Sequence, residues 1–193
     1  MNLTDLFRLD GKTALVTGGN RGIGKAIASG FVSVGAKVWI AARNEENGRK
    51  TAEEIGCKFV KTDLASSADI QELVRRISAE EEKLDVLVNN AAQEVILPFV
   101  KTDMAVADQV WRVNVRAVEE LTYLLLPLLK KSSGASIINV SSIHDVMPYP
   151  NNLDYNMSKA ALNMFTKTLA LELGPLGMRI NNLSPGPVET DIN

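Results

Sequence analysis

The chain has 193 residues, 46% of them hydrophobic, and its 21 Lys and Arg nearly balance 23 Asp and Glu for a net charge of −2. There is no basic excess to suggest nucleic acid, no apolar run long enough for a membrane span, and too few Cys and His for a disulfide or an ordinary metal site. These bounds fit a soluble, metal-free cytoplasmic protein with one domain over residues 1–193, whose opening segment Met1 to Asp5 has no signal-peptide character.

Short apolar runs alternate with longer stretches of helical period. Residues 12–17 read as a buried strand and 25–34 as a helix ending near Gly35. A strand over 37–42 and a helix over 45–55 follow, then a third strand over 58–62. Ser66, with Asp69 three residues on, caps a helix that runs to about residue 82. Residues 85–89 form a fourth strand and 103–131 one long helix, bent near its end by Pro127. A fifth strand spans 136–141, a helix 152–173 stops at Gly174-Pro175, and a sixth strand spans 178–183. Strand and helix in strict alternation, joined by short loops, predict a parallel sheet covered on both faces. With right-handed crossovers this is a doubly wound, three-layer α/β/α sheet of Rossmann type.

The first strand runs directly into Thr17-Gly18-Gly19-Asn20-Arg21-Gly22-Ile23-Gly24, and a helix starts at once. Backbone N–H groups at a helix N-terminus are a ready anion site, so this loop suits a pyrophosphate. Gly18 allows the tight turn, Gly22 lets phosphate approach the backbone, and Gly24 lets helix and strand pack closely. No Lys-Ser or Lys-Thr follows the last glycine, so it is not a P-loop. The second strand ends on Ala42-Arg43, where an acidic residue would take a ribose hydroxyl. Arg43 offers instead a charged fork for a 2′-phosphate, and Arg21 adds a second cation; together they favour NADP(H) over NAD(H). The competing expectation is that Arg43 pairs with Glu45 or Glu46.

Tyr155 and Lys159 stand four apart, one turn along the same helix face. A nearby ammonium is expected to lower the phenol pKa and make Tyr155 a usable acid and base. Ser142 lies thirteen residues before Tyr155, at the end of the fifth strand.

Taken in order, Thr17-Gly-x3-Gly-x-Gly24, Asn89-Asn90-Ala91-Ala92, Ser142 and Tyr155-x3-Lys159 resemble the short-chain dehydrogenase/reductase family over essentially the whole chain. The general look is that of 3-oxoacyl-carrier-protein reductases, tropinone reductases and gluconate dehydrogenases. The resemblance implies an oxidoreductase that interconverts a carbonyl and a secondary alcohol by hydride transfer, in the reductive direction if the cofactor is NADPH. Ser142 then orients the substrate oxygen, Tyr155 gives or takes its proton, and Lys159 tunes Tyr155 and holds the nicotinamide ribose. Asn114 bends its helix and holds a water in a relay to the lysine; a polar residue on a wet helix face is the alternative. Asn20 and Ile23 belong to the phosphate loop, Asp63 receives the adenine amino group with Leu64 beside the ring, and Asn90 and Ala91 line the cleft. Asp63 can instead simply cap the following helix. The family usually has Gly where Ala92 stands, so its methyl narrows the cleft slightly.

Pro185, Gly186, Val188 and Thr190 match the loop after the sixth strand, where the backbone at Val188 meets the carboxamide. Family members continue through a substrate-covering helical segment and a last strand. This sequence ends at Asn193, so the expectation is a C-terminally short form without that lid and strand. That raises a second expectation, a catalytically weak cofactor-binding protein acting through oligomerisation. In similar enzymes helices 103–131 and 152–173 make the homo-oligomer contact. His144 in the loop 143–151 reads as loop decoration, Met147 and Tyr149 as an apolar wall, and Trp39 and Trp111 as structural.

Overall fold

The computed structural model describes residues 6–190; the segment Met1 to Asp5 and the end of the chain at 191–193 lie outside the described residues. Among the described residues one sheet holds β1 (Thr13–Thr17), β2 (Lys37–Ala42), β3 (Lys58–Lys61), β4 (Val86–Asn89), β5 (Ser136–Val140) and β6 (Arg179–Leu183). The helices are α1 (Gly22–Ser33), α2 (Glu45–Ile55), α3 (Ser67–Glu80), α4 (Met104–Trp111), α5 (Ala117–Leu129) and α6 (Leu153–Leu173). The strands are all parallel, in the order β3-β2-β1-β4-β5-β6. The direction of winding reverses between β1 and β4. Loops leaving the carboxyl ends of those two strands therefore diverge and open a crevice. The expected doubly wound sheet is present.

Alternate residues of the central strands face opposite layers. Leu15, Leu87 and Ile137 pack with Ile70 and Leu73 of α3 and Leu121 of α5. Val16, Ile40 and Val88 pack on the other side with Ala28 of α1 and Ala52 of α2. Because both faces are covered, β1 is buried at every position, and its sequence is an unbroken apolar run between threonines.

The amino edge of the sheet is closed by two buried carboxylates. Asp85 accepts from the Thr13 N–H at 3.0 Å and the Ser132 hydroxyl at 2.7 Å, and pairs with Lys12 and Lys83. Glu81 accepts from Trp39 Nε1 at 2.8 Å and pairs with Lys37 at 2.7 Å, which makes Trp39 structural as expected. Every charge here has a partner, so this edge is sealed and the crevice lies at the other one.

Two elements differ from the sequence expectation by more than a residue or two, whereas α6 ends at Leu173, before Gly174-Pro175, as expected. α1 begins at Gly22, inside the glycine loop rather than after it, so the loop donates its own N–H groups as the first turn. The long helix is interrupted by a π-helical turn at Arg112–Arg116, centred on Asn114, and Pro127 lies in its last stretch. Gly174 is right-handed, and the chain tightens through a 3-10 turn before reversing at Gly177, whose φ is +80°. The Ser66 cap stands as expected, accepting from the Asp69 N–H.

Candidate functional site

A single long cleft runs across the carboxyl ends of β2, β1, β4 and β5. At one end it is lined by Gly18, Asn20, Arg21, Ile23 and Gly24, and at the other by Ser142, Tyr155 and Lys159. Arg43, Asp63 and Leu64 line it beside the glycine loop. Asn90, Ala91 and Ala92 form its floor, and Pro185, Gly186, Val188 and Thr190 its far wall.

The glycine loop is held from β4. The Thr17 hydroxyl accepts the N–H groups of Asn90 and Ala91 at 3.0 and 3.1 Å. The Asn90 side chain answers by donating to the Thr17 and Gly18 carbonyls at 2.9 and 3.3 Å. Gly18 has φ +65°, the left-handed conformation that a tight reversal needs. A Cβ on Gly24 would stand 2.3 Å from the Gly18 carbonyl oxygen and 2.4 Å from Asn90 Nδ2. That tight approach folds α1 back over the loop. Arg21 occupies the N-cap position of α1 in extended conformation with no side-chain cap, so the first-turn N–H groups face the cleft without an internal acceptor. An open helix N-terminus, a bare glycine cradle and two arginines fit the diphosphate of a dinucleotide. Arg43 is exposed and, among the described residues, forms no ion pair, since Glu45 pairs with Arg49 and Lys61. Asp63 shapes the turn into α3, with its Oδ1 accepting the Ala65 N–H at 3.0 Å; the cap of α3 is Ser66.

At the other end β5 delivers Ser141 and Ser142, and α6 delivers Tyr155 and Lys159. Ser142 is buried, and its hydroxyl caps the short 3-10 turn Ile143–Asp145 by accepting the His144 N–H at 3.2 Å. The Tyr155 phenol and Ser142 line the same end of the cleft. Lys159 is 2% exposed and donates from Nζ to the Val140 carbonyl at 2.8 Å, with Nζ 5.4 Å from the centre of the Tyr155 ring. The Ser141 hydroxyl donates to the Lys159 carbonyl at 3.3 Å, tying strand end to helix.

The electrostatics reverse one expectation. Burial pushes the Tyr155 phenol up, the Ser142 hydroxyl pulls it part of the way back, and the Glu94 carboxylate raises it further. The Lys159 ammonium donates to the Val140 carbonyl and is not among the causes of that shift. Lys159 itself is pulled down to about 8 by burial, against the upward pull of Glu94 and Asp145. Tyr155 is thus a neutral donor at physiological pH, and the lysine is close to its own titration.

Asn114 stands in the π-helical turn that interrupts the long helix, where a bend was expected. It is 1% exposed, which removes the wet-face alternative. Its Oδ1 accepts the Gln93 N–H at 2.8 Å, and its Nδ2 donates to the Gln93 carbonyl at 2.9 Å and to Ser158 Oγ at 3.0 Å. Ser158 in turn donates to the Tyr155 carbonyl at 2.7 Å. The Asn114 side chain lies outside the cleft lining and bonds Gln93 and Ser158 rather than Lys159. It positions the loop after β4 against the turn that carries Tyr155.

The profile described as short chain dehydrogenase matches residues 12–193. The chain belongs to the short-chain dehydrogenase family. It is 34% identical over 188 residues to the cyclopentanol dehydrogenase of Comamonas testosteroni, covering 95% of this chain and 75% of that one. It is 37% identical over 187 residues to the L-fucose dehydrogenase of Mus musculus, covering 96% and 68%. It superposes on the Pseudomonas aeruginosa RhlG/NADP active-site complex with a TM-score of 0.91 at 34% identity, covering 96% of this chain and 76% of that one. As a short-chain dehydrogenase it is an NAD(P)-dependent oxidoreductase, in line with the sequence expectation.

Within this short-chain dehydrogenase several residues escaped sequence reasoning. Thr62 and Glu94 line the site and lie in no spaced motif, and Ser158, inside Tyr155-x3-Lys159 but at an unspecified position, braces it by donating to the Tyr155 carbonyl. His144 is more than decoration: its Nδ1 is 3.0 Å from the Met147 carbonyl, and its ring stands edge-on to Tyr155 at 6.5 Å. Met147 and Tyr149 are more than half exposed and lie outside the residues that line the cleft. Ala92 is exposed and lines the cleft.

Proposed function

We propose that this chain is an NADP(H)-dependent enzyme reducing a carbonyl to a secondary alcohol, with Tyr155 as proton donor. The observation that carries the reading is the meeting of Ser142, Tyr155 and Lys159 in the cleft that also holds the glycine loop. A bound nicotinamide cofactor supplies the hydride. Gly18, Asn20, Gly22, Ile23 and Gly24 seat its diphosphate, with Asp63, Leu64, Asn90 and Ala91 along the adenosine side and floor. Pro185, Gly186, Val188 and Thr190 bound the nicotinamide end, and Lys159 reaches its ribose.

The residues' own work follows from their protonation. Ser142 keeps its O–H to donate, since its oxygen already accepts from His144. It holds a substrate oxygen against the Tyr155 phenol. Tyr155, raised above its ordinary value, holds its proton until the oxygen gains negative charge, which suits an acid in reduction better than a base in oxidation. Lys159, near 8, can give up and regain a proton at the working pH. Asn114 keeps the loop and the Tyr155 turn in register. The RhlG/NADP complex supports the phosphorylated cofactor, as do Arg21 and Arg43 at the adenosine end. The oligomer contact is proposed on helices that expose Met104 and Tyr123 on one side and Leu153, Met157 and Met164 on the other. Sedimentation at equilibrium checks it.

The test is carbonyl-dependent oxidation of NADPH against NADH, together with direct titration of both cofactors. The reading expects turnover with NADPH at a kcat/KM at least tenfold above NADH. Binding of both without oxidation of either would support instead the cofactor-binding protein without useful turnover.

A further inference from the structure

Besides Asp63 at the glycine-loop end and Lys159 at the other, the cleft is lined by two arginines at one end and a glutamate at the other. Arg21 and Arg43 stand at the glycine loop, and Glu94 stands beside Tyr155 and Lys159. Both groups feel its charge, so the carboxylate lies close to where the substrate oxygen must sit. Among the described residues Glu94 forms no ion pair.

Glu94 is also fixed in place, although it belongs to a loop. The buried Asn152, at the N-cap position of α6 three residues before Tyr155, donates from Nδ2 to Glu94 Oε1. Immediately before Glu94, Asn114 clasps both the N–H and the carbonyl of Gln93. Just beyond, the Leu97 N–H donates to the Asn151 carbonyl at 2.7 Å. Three ties over five residues hold the carboxylate ready, so little ordering is lost when a ligand meets it. A carboxylate only accepts, which fixes the Asn152 amide with its nitrogen toward Glu94 and its oxygen away. That oxygen is buried with no hydrogen-bond partner among the described residues, as is Gln93 Oε1. Acceptors therefore outnumber donors around this corner.

Resting on the Tyr155 reading above, we propose that Glu94 selects the substrate class: it accepts from a hydroxyl or ammonium group carried a few atoms from the reacting carbonyl and turns away substrates with a carboxylate there. A donor on the substrate meets a preorganised carboxylate that, among the described residues, has no ion-pair partner. An anion meets like charge at Glu94, and discrimination comes as much from that repulsion as from the attraction. The same field leaves the cofactor phosphates at the far, arginine-bearing end.

A matched set of ketones tests it: cyclohexanone, 4-hydroxycyclohexanone, 4-aminocyclohexanone and 4-oxocyclohexanecarboxylate, with NADPH, on wild type and Glu94→Gln. Each kcat/KM is divided by that for cyclohexanone on the same protein. Wild type is expected to favour the hydroxyl or the ammonium ketone at least tenfold and to disfavour the carboxylate at least tenfold. In Glu94→Gln, which keeps an oxygen for Asn152, the ammonium advantage falls and the carboxylate ratio rises, each about tenfold. The hydroxyl ratio tells which donor dominates: unchanged if Gln accepts as well, lowered if charge is needed. Identical ratios in the two proteins would overturn the proposal, and so would a carboxylate ketone that wild type accepts as well as cyclohexanone. Wild type that binds NADPH yet turns over none of the four would overturn the Tyr155 reading, and this proposal with it.

Discussion

The two ends of the cleft are made of different material. At the glycine loop the surface is main chain: the first turn of α1, the reversal at Gly18 and the ends of β1 and β4, fastened by Thr17 and Asn90. At the other end the surface is side chain, brought from the loop after β4, the end of β5 and two turns of α6. The first end is stiff because backbone hydrogen bonds fix it. The second is built around buried polar groups that the fold must hold against their preference for water. A binding surface of the first kind can serve any ligand with a diphosphate. One of the second kind carries chemistry and choice, and it costs stability.

Lys159→Met probes that cost and has the largest expected effect. Turnover falls by about 10³-fold, within the range for a lost acid–base partner. Stability moves the other way. The folded value of about 8 lies below the ordinary 10.5, so the unfolded chain binds more protons between them and the wild type gains stability as pH rises from 8 to 10.5. Below pH 8 the buried ammonium costs on the order of 3 kcal/mol, which the methionine removes. Thermal unfolding at pH 7 is expected to shift up by several degrees, and the pH 8 to 10.5 rise to vanish. A lower Tm would mean that the Val140 bond outweighs burial.

Gly24→Ala attacks the main-chain end. Its methyl meets the Gly18 carbonyl at 2.3 Å, so the loop must open. NADPH binding is expected to weaken about 100-fold, the size of an overpacking strain, with the fold intact by circular dichroism. Arg43→Glu removes a charged donor and adds a repulsive one. The NADPH-to-NADH affinity ratio is expected to drop about 30-fold, as for one charge-assisted hydrogen bond, chiefly through NADPH.

Asp85→Asn is the smallest and serves as the control, since Asp85 lies at the sealed amino edge. Burial pushes Asp85 up, but the hydrogen bonds from Ser132, Thr13, Lys12 and Lys83 more than reverse this and leave it below its ordinary 3.8. Its stabilisation is therefore complete above about pH 4 and is lost as pH falls through the lower folded value. Asn is expected to cost about 1–3 kcal/mol at pH 7 in urea unfolding and to flatten the acid limb, with cofactor affinity unchanged.

The glycine-loop end was legible in the sequence and much of the other end was not, and the comparison explains why. A strand that runs into Gly18 and straight on to a helix is local information, and so is Tyr155 one turn from Lys159. The alternation of apolar runs and helical periods yielded the parallel sheet because both of its faces are buried. The side-chain partners of Asn114 were not legible, because Gln93 and Ser158 are 21 and 44 residues away. The direction of the Tyr155 shift was missed for a similar reason. The helix spacing brings the ammonium near, but burial and the Val140 carbonyl decide where it points. Glu94 left no mark at all, since only the packing of Asn152 behind it makes a loop carboxylate part of the site.

The most direct test of the account is Tyr155→Phe, with NADPH affinity and carbonyl-dependent NADPH oxidation measured on one preparation. The account predicts a Kd for NADPH within a few-fold of wild type and turnover reduced by at least about 10²-fold at every pH. Turnover within tenfold of wild type would contradict it, because the proton would then come from some other group.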